Sequence, residues 1–309
     1  MKQLVFFLLL LTGACRRDEP NRNIPEFATR KVIIVVVDGV RWSESWGDST
    51  RANIPVRDSL LQYGVLITNF RNNGVTLTNP GHTAICTGNY DPIANDGTEI
   101  PHFPGLLQTY VKYTQKDNST WVTSSKDKLW ILSKTSYPGF DSYPVNVDCG
   151  VNGDGTGGYR SDSITYQHIF DQLSTGLPEL MVINFKDPDV KGHQGDSLGY
   201  IAAIQKTDQY IGGIVAFIQQ HPAYQDQTTL IVTNDHGRHL PGVSNGYISH
   251  GDGCEGCRHT EFFAISPDFK QGVSLSGTRE QIDISSTVAY MLHLPWMYGK
   301  GKVMYELFK

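Results

Sequence analysis

Lys31 to Val37 reads Lys-Val-Ile-Ile-Val-Val-Val, an unbroken run of β-branched residues. A strand with one wet face alternates apolar and polar positions; a continuous run belongs to a strand covered on both faces, as in a parallel sheet flanked by helices. Shorter runs of the same kind follow at 120–124, 180–185, 229–233 and 261–265. Between them lie segments of helical period near 53–63, 80–88, 104–115, 161–174, 197–220 and 281–293. In the longest of these, Ile201, Ile204, Ile211, Val215 and Ile218 mark one apolar stripe, and Asp208 falls on it as a candidate cap for a backbone group. Alternating strands and helices predict a three-layer α/β/α sandwich with a mainly parallel central sheet. No repeat or low-complexity linker divides residues 31–309, which read as one domain. The Gly-rich stretch 149–158 and the segment 238–259 are long excursions from the sheet.

The N-terminal pattern differs. Lys2 precedes the apolar run from Leu4 to Leu11, too short to cross a hydrocarbon core but suited to the h-region of a signal peptide spanning residues 1–14. Thr12-Gly13-Ala14-Cys15 resembles a bacterial lipobox, which makes Cys15 the candidate lipidation site and residues 15–30, with Pro20 and Pro25, a tether. Ordinary cleavage near Ala14 is the alternative. Both predict an exported protein of the periplasm or cell envelope, held to the membrane only through a lipid.

Composition adds limits. The 309 residues carry 26 Lys+Arg against 31 Asp+Glu, a net charge of −5, with no basic block. Nucleic acid is therefore not the expected main partner, and an anionic substrate needs a local positive centre. The carboxyl ends of the strands are where ligands gather in open α/β sheets. Here those positions are rich in acids and imidazoles: Asp38-Gly39 after the first strand, Asp189 and His193 after 180–185, Asp235-His236 after 229–233, and His250 in the excursion that follows. Singly, Asp38-Gly39 reads as a turn and Asp235-His236 as a helix cap. Together, three carboxylates and three imidazoles at one rim form a donor set for zinc, or less specifically manganese. His102, His168, His221 and His293 stand in helical or Pro-flanked contexts and read as structural.

Thr78-Asn79-Pro80-Gly81-His82 begins a helix, since proline suits a first turn. A hydroxyl there faces any anion held by the free backbone N–H groups. In this order, Asp38-Gly39, Thr78 to His82 with Thr87-Gly88, Pro188-Asp189-Val190-Lys191-Gly192-His193, Asp235-His236-Gly237, His250-Gly251 and the segment 281–288 resemble the alkaline phosphatase superfamily, and most closely its nucleotide pyrophosphatase/phosphodiesterase branch. The resemblance runs from Ile33 to about Leu294. It implies two divalent metal ions, one on Asp189, His193 and His250, the other on Asp38, Thr78, Asp235 and His236. It further implies that Thr78 is the nucleophile of a phosphoric ester hydrolase, forming phospho-Thr78 that water then releases with net retention at phosphorus. Asn79 and Asn95 are the candidate substrate contacts. A sulfatase of the usual type needs cysteine or serine where Thr78 stands. With no arginine beside Thr78, diesters or pyrophosphates are favoured over monoesters, although Arg41, Arg71 and Arg238 lie on loops within reach. A phosphonate or monoester hydrolase of the same superfamily is the alternative, and a non-catalytic metal-binding surface lipoprotein is the rival from another class.

Cys86 reads as a small core residue. Cys254-Glu255-Gly256-Cys257 predicts a local disulfide that stiffens the loop carrying His250; a structural zinc would draw in Cys149 and His259.

Overall fold

The structure, a computed structural model, describes residues 25–309. The expected signal peptide 1–14, the lipidation site Cys15 and most of the tether lie outside the described residues. Nine strands form one sheet: β1 (Lys31–Val37), β2 (Val65–Arg71), β3 (Thr120–Ser124), β4 (Asn146–Cys149), β5 (Leu180–Phe185), β6 (Thr228–Thr233), β7 (His259–Ile265), β8 (Val273–Leu275) and β9 (Arg279–Glu280). The order is β4-β3-β5-β1-β6-β7-β2-β8, with β9 beside β2. Only β7 runs against the rest, pairing antiparallel with β6 and β2. Eight helices cover the sheet: α1 (Pro55–Leu60), α2 (Thr78–Thr87), α3 (Leu106–Thr114), α4 (Asp162–Asp171), α5 (Asp187–His193), α6 (Ser197–Gln220), the short α7 (Glu255–Arg258) and α8 (Ile282–Met291).

The unbroken run in β1 has the cause inferred for it. Val32, Ile34 and Val36 pack into one core with Ile85, Leu106 and Val288 from α2, α3 and α8. Ile33, Val35 and Val37 face the opposite core, with Ile169 of α4 and Ile204, Ile211 and Val215 of α6. β1 lies between β5 and β6 in parallel register, Val32–Val37 against Leu180–Phe185 and Lys31–Val36 against Thr228–Thr233. Full burial of each such side chain is worth about 1.5–3 kcal/mol, so the centre of the sheet is its most firmly held part. That centre also sets the site, because Asp38 and Asp235 leave it at the carboxyl ends of neighbouring strands.

Asp208 caps as expected, and does more. Its carboxylate accepts from the N–H groups of Val56 and Arg57 at the start of α1 and from Arg57 Nε (2.7, 3.2 and 2.9 Å). Arg57 also pairs with Glu261 of β7, and all three side chains are fully buried. β2 escapes the sequence pattern because Thr68 and Asn69 interrupt its apolar residues at an irregularity in the β2–β7 pairing. The end of the expected tether belongs to the domain: Phe27 is buried against Tyr290 and Phe308, and Thr29 Oγ1 donates to Asp268 (2.6 Å). Among the described residues no helix is long and apolar enough to cross a membrane.

Candidate active site

The rim at the carboxyl ends of β1, β3, β5 and β6 gathers the predicted residues from separate elements. Asp38 follows β1, Asp235 and His236 follow β6, and α5, entered directly from β5, carries Asp189 and His193 one turn apart on one face. Two glycines allow this crowding. Gly39 adopts φ +67°, a left-handed conformation unfavourable to other residues, and a Cβ there would lie 2.8 Å from Asp189 Oδ1. At Gly81 a Cβ would lie 2.5 Å from the Asp235 carbonyl oxygen, so its absence lets α2 press on the end of β6. That carbonyl also accepts from Asn72 (2.8 Å) and Gln281 (2.7 Å). The cap of α2 is Leu77, so Thr78 is the first helical residue, and the helix begins where the motif predicts. Thr78 is 2% exposed.

The donors fall into two adjoining sets. In one, His236 Nε2 lies 3.6 Å from Asp38 Oδ1 and 3.3 Å from Asp235 Oδ2, and all three side chains are fully buried. In the other, Asp189 Oδ1 lies 3.4 Å from His193 Nε2 and 3.5 Å from His250 Nε2, and the two imidazole nitrogens are 3.0 Å apart. His236 stacks on His250 at 3.7 Å, joining the sets. Asp38 Oδ1, Asp235 Oδ2 and His236 Nε2 are buried without hydrogen-bond partners. Such groups are costly unless a cation satisfies them. The imidazoles are in the right form for ligation. His250 Nδ1 meets the Thr76 carbonyl and His236 Nδ1 that of Gly237, both at 2.9 Å, which turns each Nε2 lone pair inward. Burial pushes His236 down to about 3, so it is neutral. Burial would raise Asp189, but the adjacent Lys126 ammonium and Arg238 guanidinium hold its carboxyl well below the usual range. Burial and the adjacent Asp235 carboxylate push Asp38 up to about 7. The residues present fit divalent cations with nitrogen and oxygen ligands: Asp189, His236 and His250 each present a donor atom within 4.8 Å of the others, so His236 faces the Asp189 set as well as the Asp38 and Asp235 carboxylates. His82 also lies beside Asp38 and Asp235. Its nitrogens are committed, Nδ1 to the Thr78 carbonyl (2.9 Å) and Nε2 to Asn184 (3.1 Å), so it braces the Thr78 backbone instead.

Two lysines complete the site, and the sequence reading passed over both. Lys126, 2% exposed, donates to Thr78 Oγ1 at 3.1 Å and to Asp189 at 2.7 Å, and pairs with Asp38 at 2.9 Å. One ammonium thus ties the hydroxyl to both donor sets. Burial opposes its charge, yet Asp189, Asp38 and Asp235 hold it above the usual lysine range. Lys128 donates to the carbonyl and to Oδ1 of Asn95 (2.8 and 3.1 Å), and Asn95 Oδ1 also accepts from the N–H of Asn79 (2.9 Å). Thr78, Asn95, Lys126, Lys128, Tyr159, Asp189, His193 and His250 line a cavity of about 430 Å³. Asn79, expected as a substrate contact, contributes its backbone N–H; its side chain is fully buried and does not line the cavity. The signal for Lys126 was its place two residues after β3, on the same rim as the acids.

The arginines thought to be within reach are engaged elsewhere. Arg238 grips Asp189 through Nη1 (2.8 Å) and the Tyr247 carbonyl, Arg41 holds Glu44 and the His239 carbonyl, and Arg71 holds Asn69 and Glu255. The Cys254–Cys257 disulfide is not formed: both are free thiols, at the start and within the single turn of α7. Cys149 ends β4, with its thiol on the Val122 carbonyl, and His259 Nε2 meets the Thr68 carbonyl, so neither serves the Cys-x-x-Cys turn. His102 and His168 pair with Asp91 and Asp148, while His221 and His293 pack on Phe217 and Phe27.

Residues 30–260 match the Metalloenzyme superfamily. The chain belongs to that family. Membership bears out the alkaline phosphatase-like resemblance and the fold class, and it implies divalent metal ions. Human bis(5'-adenosyl)-triphosphatase ENPP4 is 25% identical over 290 residues, 86% of this chain and 59% of that protein. The metalloenzyme chain spans about half the length of the curated relatives it matches. Murine ectonucleotide pyrophosphatase/phosphodiesterase 5 superposes with a TM-score of 0.67 over 91% of this chain and 100% of that one, at 16% identity. The phosphonate monoester hydrolase of Silicibacter pomeroyi gives 0.61 over 90% and 76%, at 15% identity. At these identities the superpositions establish a shared fold for the superfamily member, and no more.

Proposed function

We propose that this chain hydrolyses phosphate esters with Thr78 as nucleophile, at a site for two divalent cations, zinc by the nature of the donors, and that phosphomonoesters are its preferred class. The contact that carries the reading is Lys126 Nζ to Thr78 Oγ1 at 3.1 Å, inside a cavity bordered by both donor sets. A threonine hydroxyl attacks poorly at neutral pH; bound cations supply the Lewis acidity that activates it and neutralise charge on phosphoryl oxygens. Everything else falls to the chain. His82 fixes the Thr78 carbonyl, and Lys126 fixes its hydroxyl oxygen. Asn95 Oδ1 is taken up by Lys128 and the Asn79 N–H, which leaves its NH₂ group to donate to a phosphoryl oxygen. The Thr78 Oγ–P bond forms as the P–O bond to the alcohol breaks, with the threonine proton leaving on the alcohol, and water then cleaves phospho-Thr78 to release phosphate and restore the hydroxyl.

The two lysines weigh against the lean toward diesters drawn from the missing arginine. A monoester dianion carries one more negative charge than a diester, and both ammonium groups line the cavity that would receive it. The second reading, diester or pyrophosphate cleavage, is favoured by the relatives. ENPP4 is named a bis(5'-adenosyl)-triphosphatase, and an inactive threonine-to-alanine variant of murine ENPP5 has been solved in complex with AMP. A non-catalytic metal-binding protein gives no reason for the Thr78–Lys126 contact. The test is wild type and Thr78→Ala, zinc-loaded, on p-nitrophenyl phosphate, bis(p-nitrophenyl) phosphate and a phosphonate monoester. Wild type turns over the monoester best, and the variant binds metal without turnover. No turnover of any ester by wild type, or near-normal activity of the variant, rejects the proposal.

A further inference from the structure

Outside the active site, one cluster pairs soft ligands with a buried orphan nitrogen. His239, Asp252, Cys254 and Cys257 each present one donor atom, and these four atoms lie within 4.8 Å of one another. His239 is 5% exposed and Cys257 fully buried. His239 Nε2 is buried without a hydrogen-bond partner, although Asp252 Oδ2 lies 3.1 Å away. Its Nδ1 faces Ser249 Oγ at 3.1 Å and Asn245 Oδ1 at 3.4 Å. A proton on Nδ1 donated there leaves the Nε2 lone pair aimed into the cluster, the tautomer a metal-bound histidine adopts.

Hydrogen bonds within the cluster and around it hold the loop that carries the other three donors. Asp252 Oδ1 accepts the Cys254 N–H (3.0 Å), which frees Oδ2, and the Asp252 carbonyl accepts Thr76 Oγ1 (2.7 Å). The Cys257 carbonyl accepts the Gly237 N–H (2.8 Å), and the His239 N–H donates to the Ser249 carbonyl (3.1 Å). The backbone that carries the four donors is therefore held before any ligand arrives, and the donor atoms already lie within 4.8 Å of one another. Two sulfurs, one imidazole nitrogen and one carboxylate oxygen make a four-donor set of the zinc type. Two thiolates disfavour calcium and magnesium, which take oxygen.

We propose that His239, Asp252, Cys254 and Cys257 bind a structural divalent cation of the zinc class, separate from the catalytic pair and independent of the reaction assigned above. Its position gives it a purpose. His239 lies three residues beyond His236 and one beyond Arg238, and Asp252 lies two beyond His250. A cation held by both arms fastens the end of β6 to the loop bearing His250, so that these imidazoles keep their places without help from the catalytic metals.

Cobalt(II) tests this with a readout that the active site cannot produce, because the catalytic donors are only nitrogen and oxygen. The chelator-treated full chain, reloaded with cobalt(II), develops a near-ultraviolet thiolate-to-cobalt charge-transfer band. The Cys254→Ser/Cys257→Ser variant lacks the band and binds one equivalent less cobalt, and His239→Asn weakens it. In wild type itself, zinc protects Cys254 and Cys257 from alkylation as mapped on their peptide. That measurement holds even where the double variant fails to fold. No band at saturating cobalt with both thiols open to alkylation, or recovery of a Cys254–Cys257 disulfide in the metal-loaded protein, overturns the proposal.

Discussion

Lys126→Met removes one ammonium while keeping the length of the side chain, and its effect on monoesters and diesters separates the two substrate readings. Nζ stands 3.1 Å from Thr78 Oγ1, so with Thr78 as the proposed nucleophile a non-bridging phosphoryl oxygen would come within about 4 Å of it. At that separation and an effective dielectric near 20, one pair of unit charges interacts by about 4 kcal/mol. Lys128 remains and water enters, so roughly a quarter of that per unit charge is the expected net loss, about 2 kcal/mol or ~30-fold in kcat/KM for the two charges of a dianion. A diester carries one charge less and should lose only a few-fold, about 5-fold or under by the same arithmetic. Steady-state kinetics on p-nitrophenyl phosphate and its bis ester, with metal content checked in each preparation, measure the split. Lys126 also positions Thr78, and loss of that contact depresses both substrates alike. An equal fall in the two, however large, refutes the idea that Lys126 selects dianions and leaves it a positioning residue.

Lys128 adds a pH signature. Burial, and next the charge of Lys126, lower its ammonium to about 8. It is charged below that value and neutral above, so monoester kcat/KM falls as pH rises through about 8; Lys128→Arg should remove this limb, and an unchanged profile contradicts the assignment. Arg57→Met strips the counter-charge from Asp208 and Glu261, both fully buried, and should cost about 3–5 kcal/mol in urea unfolding, a loss below 1 kcal/mol being incompatible with the buried triad. Cys15→Ser should abolish labelling of the protein by radioactive palmitate in a bacterial host; equal labelling rules out lipidation at that residue.

The parts legible in the sequence were those where one local pattern had one cause. A continuous β-branched run demands two covered faces, and β1 has them. The stripe on α6 and the acids and histidines following the strands were readable for the same reason. β2 was hidden because Thr68 and Asn69 break its pattern at a bulge. Lys126 was hidden differently: a search for metal donors counts carboxylates and imidazoles, whereas the lysine matters only once β3 lies next to β5 and brings its ammonium between Asp189 and Asp38. The tertiary pairing of Arg57 with Asp208 and Glu261 has no local signature either. Cys254-x-x-Cys257 was visible and read as a disulfide, whereas both are free thiols. The donors that lie beside them, His239 and Asp252, come from the two arms of a loop and share no local pattern with the motif.

The central claim is that Thr78 becomes covalently phosphorylated during turnover. Acid quench of the zinc-loaded enzyme with p-nitrophenyl phosphate in the first turnovers, followed by peptide mass spectrometry, tests it directly. A phosphoryl group on the peptide that begins α2, assigned to Thr78 and absent from Thr78→Ala, is the predicted result. Rapid turnover with no phosphorylated peptide, or a phosphoryl group on any other residue, contradicts the account.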